Sequence, residues 1–383
     1  MFGPATMGGI RARSGRPSPV PEPRVVSRLL RNWFRTNRRP LPWRVDRDPY
    51  RIWVAEVLLQ QTRVAQAIPY YRAFVARFPD VRTLAKAPLD SVLRVWAGAG
   101  YYARARNLHA AARQLVRKWG GSIPREPQEL VELPGVGPYI ARAIASLAFG
   151  RAVLALEANG LRVSARLTAE VRPITDPTAR ARLERWLEEG LPHRDAAAYN
   201  EALMEFGEEV CAPRAPRCDV CPLSTLCRAR QQYPDPSVLP RRGPRRATPT
   251  VLASVALIER AGLVLLQRRP PSGLLGGLWE LPGGKRAAGE TDREACRREI
   301  EEELGYRPRS LRRLGVIRHA YSHFRVELTV FRAPAPDRSV RWGPRPERRW
   351  VTRARVFDLP LPKATVRALA LAGITPRGRP SPD

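Results

Sequence analysis

Four cysteines lie close together in the segment CAPRAPRCDVCPLSTLC. They are Cys211, Cys218, Cys221 and Cys227, with the spacing C-x6-C-x2-C-x5-C. Four thiolates in so short a segment can bind one metal centre. Zinc ribbons usually pair two C-x2-C elements and only one is present, so the spacing favours an iron–sulfur cluster, [4Fe-4S], over zinc. The fifth cysteine, Cys296, lies far along the chain and is expected to pack in a core.

A glycine-rich turn joins two helical patterns in ELVELPGVGPYIARAIASLAFG. Gly135 and Gly137 permit a tight hairpin around Val136, and the second helix is predicted to begin at Pro138. Backbone N–H groups at such a turn can face a phosphate without reading base sequence. The turn therefore predicts a helix–hairpin–helix element that binds the DNA backbone.

Two glutamates lie beside apolar runs. Glu56 lies in IWVAEVLLQQ, whose apolar residues would raise its pKa by excluding water. Periodicity alone nevertheless favours a solvent-facing glutamate at this position. Glu157, in LALEANGLRVSAR, either caps the next helix or takes part in chemistry. Glutamate is a poor N-cap compared with the adjacent Asn159, which favours chemistry.

The chain as a whole is strongly basic. Its 383 residues carry a formal net charge of +31, and nearly all the basic residues are arginine. Such an excess favours a polyanionic partner, of which nucleic acid is the usual one. The sequence has no apolar run of about 18 residues that would span a membrane, and its first residues do not form a secretory signal. We expect a monomer in the cytoplasm, associated with the nucleoid of a prokaryote.

The periodicity of the apolar residues changes near residue 250. Helical periodicity dominates residues 25–230, whereas strand-like segments and one helix at 291–304 follow the Pro/Arg-rich segment YPDPSVLPRRGPRRATPT. We therefore predict a multidomain chain with an all-α domain and then an α+β domain. The predicted boundaries are a disordered basic tail at 1–24, the helical domain at 25–230 with its four-cysteine loop at 211–227, a linker at 231–249, the α+β domain at 250–373 and a tail at 374–383.

These motifs together resemble the adenine DNA glycosylases of the MutY kind, within the endonuclease III superfamily. The resemblance extends over nearly the whole chain and is carried by LPWR, EVLLQQTRV, GYYARARNLH, LPGVGPY, the four-cysteine loop and a C-terminal domain similar to the Nudix fold. It implies a helix–hairpin–helix glycosylase domain with an iron–sulfur loop, followed by a Nudix-like domain. The implied activity is hydrolysis of the N-glycosidic bond of adenine paired with 8-oxoguanine or guanine in double-stranded DNA.

The resemblance also implies roles for three residues. Cleavage of an N-glycosidic bond needs an acid for the leaving base and a negative charge near the sugar. Glu56 matches the acid, and Glu157 matches the stabilising carboxylate, for which the family normally carries Asp. The longer side chain puts full activity in question. Tyr139 stands where a lysine nucleophile occurs in members that also cut the backbone, and a phenol cannot form a Schiff base. A monofunctional glycosylase is therefore predicted.

The target adenine must leave the base stack before it can be cleaved. By resemblance, Tyr101 wedges into the stack, and Gln61 and Thr62 face the opposing 8-oxoguanine. Ser322 and His323, in HAYSHF, match a loop of the C-terminal domain that contacts the damaged base. The residues implied to line the adenine pocket are Arg44, Asn159 and Glu201.

The stretch 284–306 fits the Nudix pattern G-x5-E-x7-R-E-U-x-E-E-x-G-U, where U is aliphatic. Only the last position departs, because it holds Tyr306. Glu299, Glu302 and Glu303 share one face of a predicted helix, which suggests an oxygen site for Mg²⁺. In Nudix enzymes this site hydrolyses nucleoside diphosphate derivatives. We favour a domain that recognises 8-oxoguanine over one that hydrolyses nucleotides, because a motif does not fix function without a substrate site.

Three hypotheses for the whole chain remain open. The first is a monofunctional adenine glycosylase. The second is a nucleotide phosphohydrolase whose helical half only binds DNA, and the third is a lesion-binding module disabled by the change at Glu157. Dependence on metal separates the first two, since glycosylase chemistry should survive a chelator and Nudix chemistry should not.

Overall fold

The chain forms two compact units in the computed structural model, which describes residues 18–241, 248–270, 273, 275–321, 324–337 and 347–376. The first unit comprises the described residues up to Val75 and from Gln114 to Arg241. The second comprises Ala76–Arg113 and the described residues from 248 onward. Most of the two predicted tails and part of the predicted linker lie outside the described residues.

Helices account for nearly all the regular structure before residue 233. Their bounds are α1 Pro23–Asn37, α2 Pro49–Leu59, α3 Val64–Arg77, α4 Val81–Lys86, α5 Leu89–Val95, α6 Tyr102–Trp119, α7 Pro127–Leu130, α8 Pro138–Leu147, α9 Ala158–Thr168, α10 Pro177–Glu189, α11 Ala196–Glu209 and α12 Arg228–Gln232. Short 3-10 turns occupy Pro42–Arg44 and Pro236–Val238. The predicted all-α character of this part and the predicted start of a helix at Pro138 are confirmed. In the described ranges, no helix is both long and apolar enough to cross a membrane.

Helix α2 is buried on nearly every side. It begins at Pro49, and the Asp48 carboxylate accepts hydrogen bonds from the N–H groups of Tyr50 and Arg51. Proline at the first helical position and an aspartate cap are strong start signals. All residues from Ile52 to Leu58 are buried, so an apolar sequence without a polar face places this helix in the interior. A polar side chain between Ile52 and Leu58 is therefore carried into the core.

A core cluster of the first unit lies where α1, α9, α10 and α11 meet. It includes Leu30, Leu161, Leu187 and Phe206. Helix α11 contacts α1, α8 and α9, and Gly207 permits its close approach to α9. A Cβ at that glycine would lie 2.5 Å from the Cβ of Asn159, so a side chain there would force the two helices apart.

The beginning of the predicted linker is packed rather than extended. Tyr233 and Leu239 are buried with Ala229 in a small cluster, and Leu239 is only 1% exposed. The Leu239 carbonyl accepts a hydrogen bond from the Arg166 guanidinium at 2.8 Å. Although the composition of this proline-rich segment is typical of a linker, its apolar residues are buried in a small cluster of their own.

The part of the chain after residue 248 contains a mixed sheet. Its strands are β1 Thr250–Arg260, β2 Leu263–Arg268, β3 Trp279–Glu280, β4 Gly283–Lys285, β5 Arg312–Ala320, β6 Arg325–Pro334 and β7 Arg348–Thr352. The main order is β3-β2-β1-β6-β5, with β4 paired to β1 and β7 paired to β2. Strands β1 and β6 run parallel, and the other pairs are antiparallel. The predicted α+β character is confirmed.

Helices cover both faces of this sheet. Helix α13, Asp292–Leu304, confirms the helix predicted at 291–304 and begins with a capping box formed by Thr291 and Glu294. It packs Ile300 and Cys296 against one face, so the expectation that Cys296 is a core residue is confirmed. A 3-10 turn at Arg353–Asp358 precedes helix α14, Lys363–Ala370, which packs on the other face.

Candidate active site

Glu56 is the one acid on the buried helix α2, and it is only 5% exposed. Its pKa is raised to about 7, mainly by burial and also by the nearby carboxylates of Glu157 and Glu201. The Tyr139 hydroxyl donates a hydrogen bond of 2.9 Å to Glu56 Oε2, which lowers the pKa, as does the charge of Arg44. The predicted desolvation of Glu56 is confirmed, and the surface interpretation from periodicity is wrong. A carboxyl with this pKa can hold a proton near neutral pH and release it.

Tyr139 reaches Glu56 from the first turn of α8. That helix begins at Pro138 after the N-cap Gly137, so the hairpin sets the direction of the tyrosine. Gly135 adopts a left-handed backbone with φ of 77°, which the turn requires, while the Val136 side chain is buried. Gly135 and Gly137 remain exposed. The hairpin therefore exposes its glycines to solvent, while the buried Val136 and the Tyr139 that follows it anchor the other side near Glu56.

Glu157 is the N-cap of α9, and its Oε1 accepts a hydrogen bond from the Asn159 N–H at 3.3 Å. The sequence argument against a capping role is therefore wrong. The long side chain can fold back to the second helical N–H, which leaves Asn159 inside the first turn. Burial raises the pKa of Glu157, while the Asn159 hydrogen bonds and the charge of Arg162 lower it. The Glu157 carboxylate therefore caps α9 and also lies near Glu56.

Arg44 is held by two acids of α11. Its Nε donates to Glu201 Oε1 at 2.7 Å and its Nη1 donates to Glu205 Oε2. Burial raises the pKa of Glu201, whereas the charge of Arg44 lowers it. The guanidinium also lies over the Phe34 ring, with Cζ 5.1 Å from the centroid. The structure thus brings Arg44 and Glu201 together as the sequence implied.

Asn159, in the first turn of α9, is linked through Arg162 to α11. Its Oδ1 accepts a hydrogen bond from Arg162 Nη2 at 2.5 Å, and the same nitrogen donates to the Gly207 carbonyl. Arg162 Nε also donates to the Cys211 carbonyl. The helix start that carries Glu157 is therefore bonded to the beginning of the four-cysteine loop.

The four cysteines of the loop line a single cavity with Arg166 and Leu223. Arg166 is 1% exposed, and its guanidinium donates to the Cys211 carbonyl, the Cys211 Sγ at 3.3 Å and the Ala212 carbonyl. Burial raises the pKa of Cys221 to about 12 and that of Cys227 to about 11. In the described part of the chain, no three Cys, His, Asp or Glu side chains are arranged to hold a single metal ion.

Gln61 and Thr62 follow α2 directly. Gln61 has a φ of 60°, and Tyr101, in the second unit, has a φ of 48°. A left-handed backbone at a residue other than glycine costs on the order of 1 kcal/mol and is often found at functional positions. Gln61 and Tyr101 are two of seven described residues other than glycine with positive φ, and the resemblance implied DNA contact for both. Ser322 and His323 lie outside the described residues.

The three carboxylates predicted to bind Mg²⁺ on the Nudix helix have protein partners. Arg298 donates from Nη1 to Glu299 at 3.0 Å and to Glu302 at 3.3 Å. Glu303 is buried and accepts from the Gly283 N–H and from the Gln267 amide. Two of the three acids are therefore paired with a cation, and the third is bonded to the sheet. Among the described residues no three Cys, His, Asp or Glu side chains form a ready metal-ion set, so the Mg²⁺ site stays a prediction.

Sequence reasoning missed three residues that support the site. Glu205 is 1% exposed and accepts from Arg39 N as well as from Arg44. Its position four residues after Glu201 on one helix face was an available signal. The arginines of α9 that contact the cysteine loop also repeat at i and i+4, but in so arginine-rich a chain this spacing carries little information. These two residues are Arg162 and Arg166.

Comparisons with known proteins match both parts of the chain. Residues 54–189 match the family described as HhH-GPD superfamily base excision DNA repair protein, and residues 254–371 match the NUDIX domain. The adenine DNA glycosylase of Homo sapiens is 32% identical over 378 residues, covering 84% of this chain and 69% of the human protein. That of Mus musculus is 33% identical over 376 residues, covering 84% and 73%. That of Mycobacterium tuberculosis is 36% identical over 238 residues, covering 59% and 77%.

These similarities extend across the helical part and the sheet-containing part. They confirm the resemblance indicated by the motifs and the predicted order of a helix–hairpin–helix domain and a Nudix-like domain. The chain belongs to the adenine DNA glycosylase family.

Proposed function

We propose that this protein hydrolyses the N-glycosidic bond of adenine paired with 8-oxoguanine in double-stranded DNA, without cutting the backbone. The observation that carries the proposal is the buried Glu56, bonded to Tyr139, with a pKa of about 7. Such a group is protonated often enough near neutral pH to donate to a leaving base. The names of the relatives and the base-excision-repair match support the same chemistry.

Glu56 protonates the departing adenine, and Glu157 supplies negative charge near the oxocarbenium-like sugar. Such a charge acts strongly only where water is excluded, and burial at Glu157 supports this role. Tyr139 holds the Glu56 carboxyl in place and has no amine with which to attack the sugar. Arg44, Asn159 and Glu201 line the pocket for the flipped base.

The residues proposed to recognise the base pair follow from the resemblance. We assign Tyr101 as the wedge that fills the vacated place in the stack, and Gln61 and Thr62 as contacts to the opposing base. The strained backbones of Gln61 and Tyr101 support this assignment. The hairpin at residues 135–137 binds a phosphate. Ser322 and His323 are proposed lesion contacts on sequence grounds only.

The cysteine loop is proposed to hold a [4Fe-4S] cluster through Cys211, Cys218, Cys221 and Cys227. The fit is supported by the single cavity that all four thiols line and by the Arg166 N–H directed at the Cys211 sulfur. These cysteines would hold the cluster, which would then cross-link the loop; hydrolysis transfers no electrons, so no redox step is required. Arg162 and Arg166 then connect the loop to the helix that starts at Glu157.

The Nudix-like domain is proposed to recognise the lesion rather than to hydrolyse nucleotides. This choice rests on the principle that a motif does not fix function without a substrate site. Arg298 belongs to the same Nudix pattern as Glu299 and Glu302, so its pairing with them is compatible with either role.

A single-turnover assay in EDTA tests the function directly. The protein should release adenine from a duplex with adenine opposite 8-oxoguanine and leave the strand uncut until alkali is added. Glu56→Gln should abolish release while binding of the same duplex is nearly unchanged, because it removes the proton donor and keeps the shape. Release that required added Mg²⁺, or full activity of Glu56→Gln, would overturn the proposal.

The pH dependence of base release reports the pKa of Glu56. The active form is protonated, so the single-turnover rate should be constant well below pH 7 and should fall about tenfold per pH unit well above it. Tyr139→Phe removes a hydrogen bond that lowers this pKa, so the pKa should rise and the alkaline limb should move to higher pH. A limb that stayed in place or moved to lower pH would contradict the role of Tyr139.

Substitutions at Glu157 separate its charge from its capping role. Glu157→Gln keeps the length and a capping oxygen but removes the charge, so the unfolding temperature should stay near that of the wild type. The rate of base release should fall about 10²–10³-fold. Glu157→Asp keeps both the charge and the cap and should remain active. If Glu157→Gln were as fast as the wild type, the carboxylate would be only a helix cap.

Metal analysis tests the cluster. The purified protein should contain about four iron ions and as many acid-labile sulfides per chain, with zinc well below one equivalent. Cys221→Ser should lose most of this iron, whereas Cys296→Ser, in the core of the other unit, should retain it. Stoichiometric zinc without sulfide would show that the loop is a zinc site.

A further inference from the structure

The segment that leads to the proposed wedge has an unusual backbone. Gly98, Gly100 and Tyr101 all have positive φ, at 95°, 75° and 48°. Gly100 is needed for this path, although a Cβ there would meet nothing within 4 Å. Tyr101 is not glycine and must be held in this conformation by its surroundings. Tyr101 lies just before α6, and its carbonyl accepts a hydrogen bond from the Arg104 N–H at 2.8 Å.

Arg104 lies directly beneath this segment. It is 9% exposed, and its Nη2 donates to the carbonyls of Ala99 at 3.1 Å and Gly100 at 3.3 Å. The Trp96 indole donates to the same Gly100 carbonyl at 2.9 Å. Two donors thus fix the peptide that precedes Tyr101, so the left-handed turn is held from inside.

The guanidinium also contacts the aromatic rings. Its Cζ lies 5.2 Å from the centroid of the Tyr101 ring and 5.5 Å from that of Trp96. These distances are within the range of cation–π attraction, which is stronger when the cation is shielded from water. Burial lowers the pKa of Arg104 to about 10, which still leaves it charged at neutral pH. The same group therefore restrains both the backbone and the ring of Tyr101.

We propose that Arg104 is a positioning residue for the wedge, which presents the Tyr101 ring to DNA in a fixed orientation before the target base leaves the stack. This inference rests on the proposed function, in which Tyr101 is the wedge. Arginine suits the task because one guanidinium nitrogen donates to both carbonyls while the planar group lies against two rings. Lysine would keep the charge but lacks a planar group to lie against the rings.

The test is a double-mutant cycle in single-turnover base release from a duplex with adenine opposite 8-oxoguanine, in EDTA. Arg104→Met keeps most of the length and apolar stem of the side chain but removes the donors and the charge. In the wild-type background it should slow release about tenfold or more, since small misplacements of a positioned group are costly. In a Tyr101→Ala background it should cause little further loss. Arg104→Lys should fall between Arg104→Met and wild type.

Arg113→Met is the matched control, because it removes the same charge from an exposed position on the same helix and should leave the rate unchanged. Unfolding temperatures of all variants identify any that are misfolded. Wild-type activity of Arg104→Met would overturn the inference, as would an equal loss in both Tyr101 backgrounds, which would indicate a general structural role. If Tyr101→Ala itself were fully active, the wedge assignment in the proposed function would fail first.

Discussion

The organisation of the first unit depends on one unfavourable interaction, the burial of the Glu56 carboxyl on a helix that is apolar on all sides. Removing a carboxylate from water is costly unless it is neutralised or paired. Here the pKa rises to about 7, and the Tyr139 hydroxyl provides the hydrogen bond. Helix α2 must be enclosed for this to occur: α8, which packs against it, carries Tyr139, and the 3-10 turn that contacts it carries Arg44.

Those residues enter mainly at helix starts. Tyr139 stands in the first turn of α8, and Glu157 caps α9. Helix beginnings are well-defined points, because proline, glycine or a cap fixes where the first turn forms. Behind them, Arg162 bonds the start of α9 to α11 and to the cysteine loop. A precise site can thus be assembled from short segments distant in sequence.

Much of this arrangement could be predicted from the sequence, because the signals were local. The cysteine spacing, the hairpin, the α13 cap and the change of periodicity near residue 250 each depend on neighbouring residues. The rest depends on tertiary contacts. Periodicity placed Glu56 on a surface, because it cannot distinguish a helix enclosed on all sides from one with a polar face. The Nudix pattern likewise placed three glutamates on one helix face, but it could not show that Glu303 turns into the domain, where it accepts hydrogen bonds from Gly283 and Gln267.

The double use of Glu157 constrains how this position can evolve. A residue here must begin a helix and, under the proposed function, also present a negative charge to the sugar. Serine, threonine or asparagine would satisfy the first requirement alone. Only aspartate and glutamate can both cap the helix and carry the charge. Neutral substitution at this position is therefore confined to these two residues, whose side chains differ by one methylene group. The position can therefore vary in side-chain length, which changes how far the carboxylate extends, but not in charge.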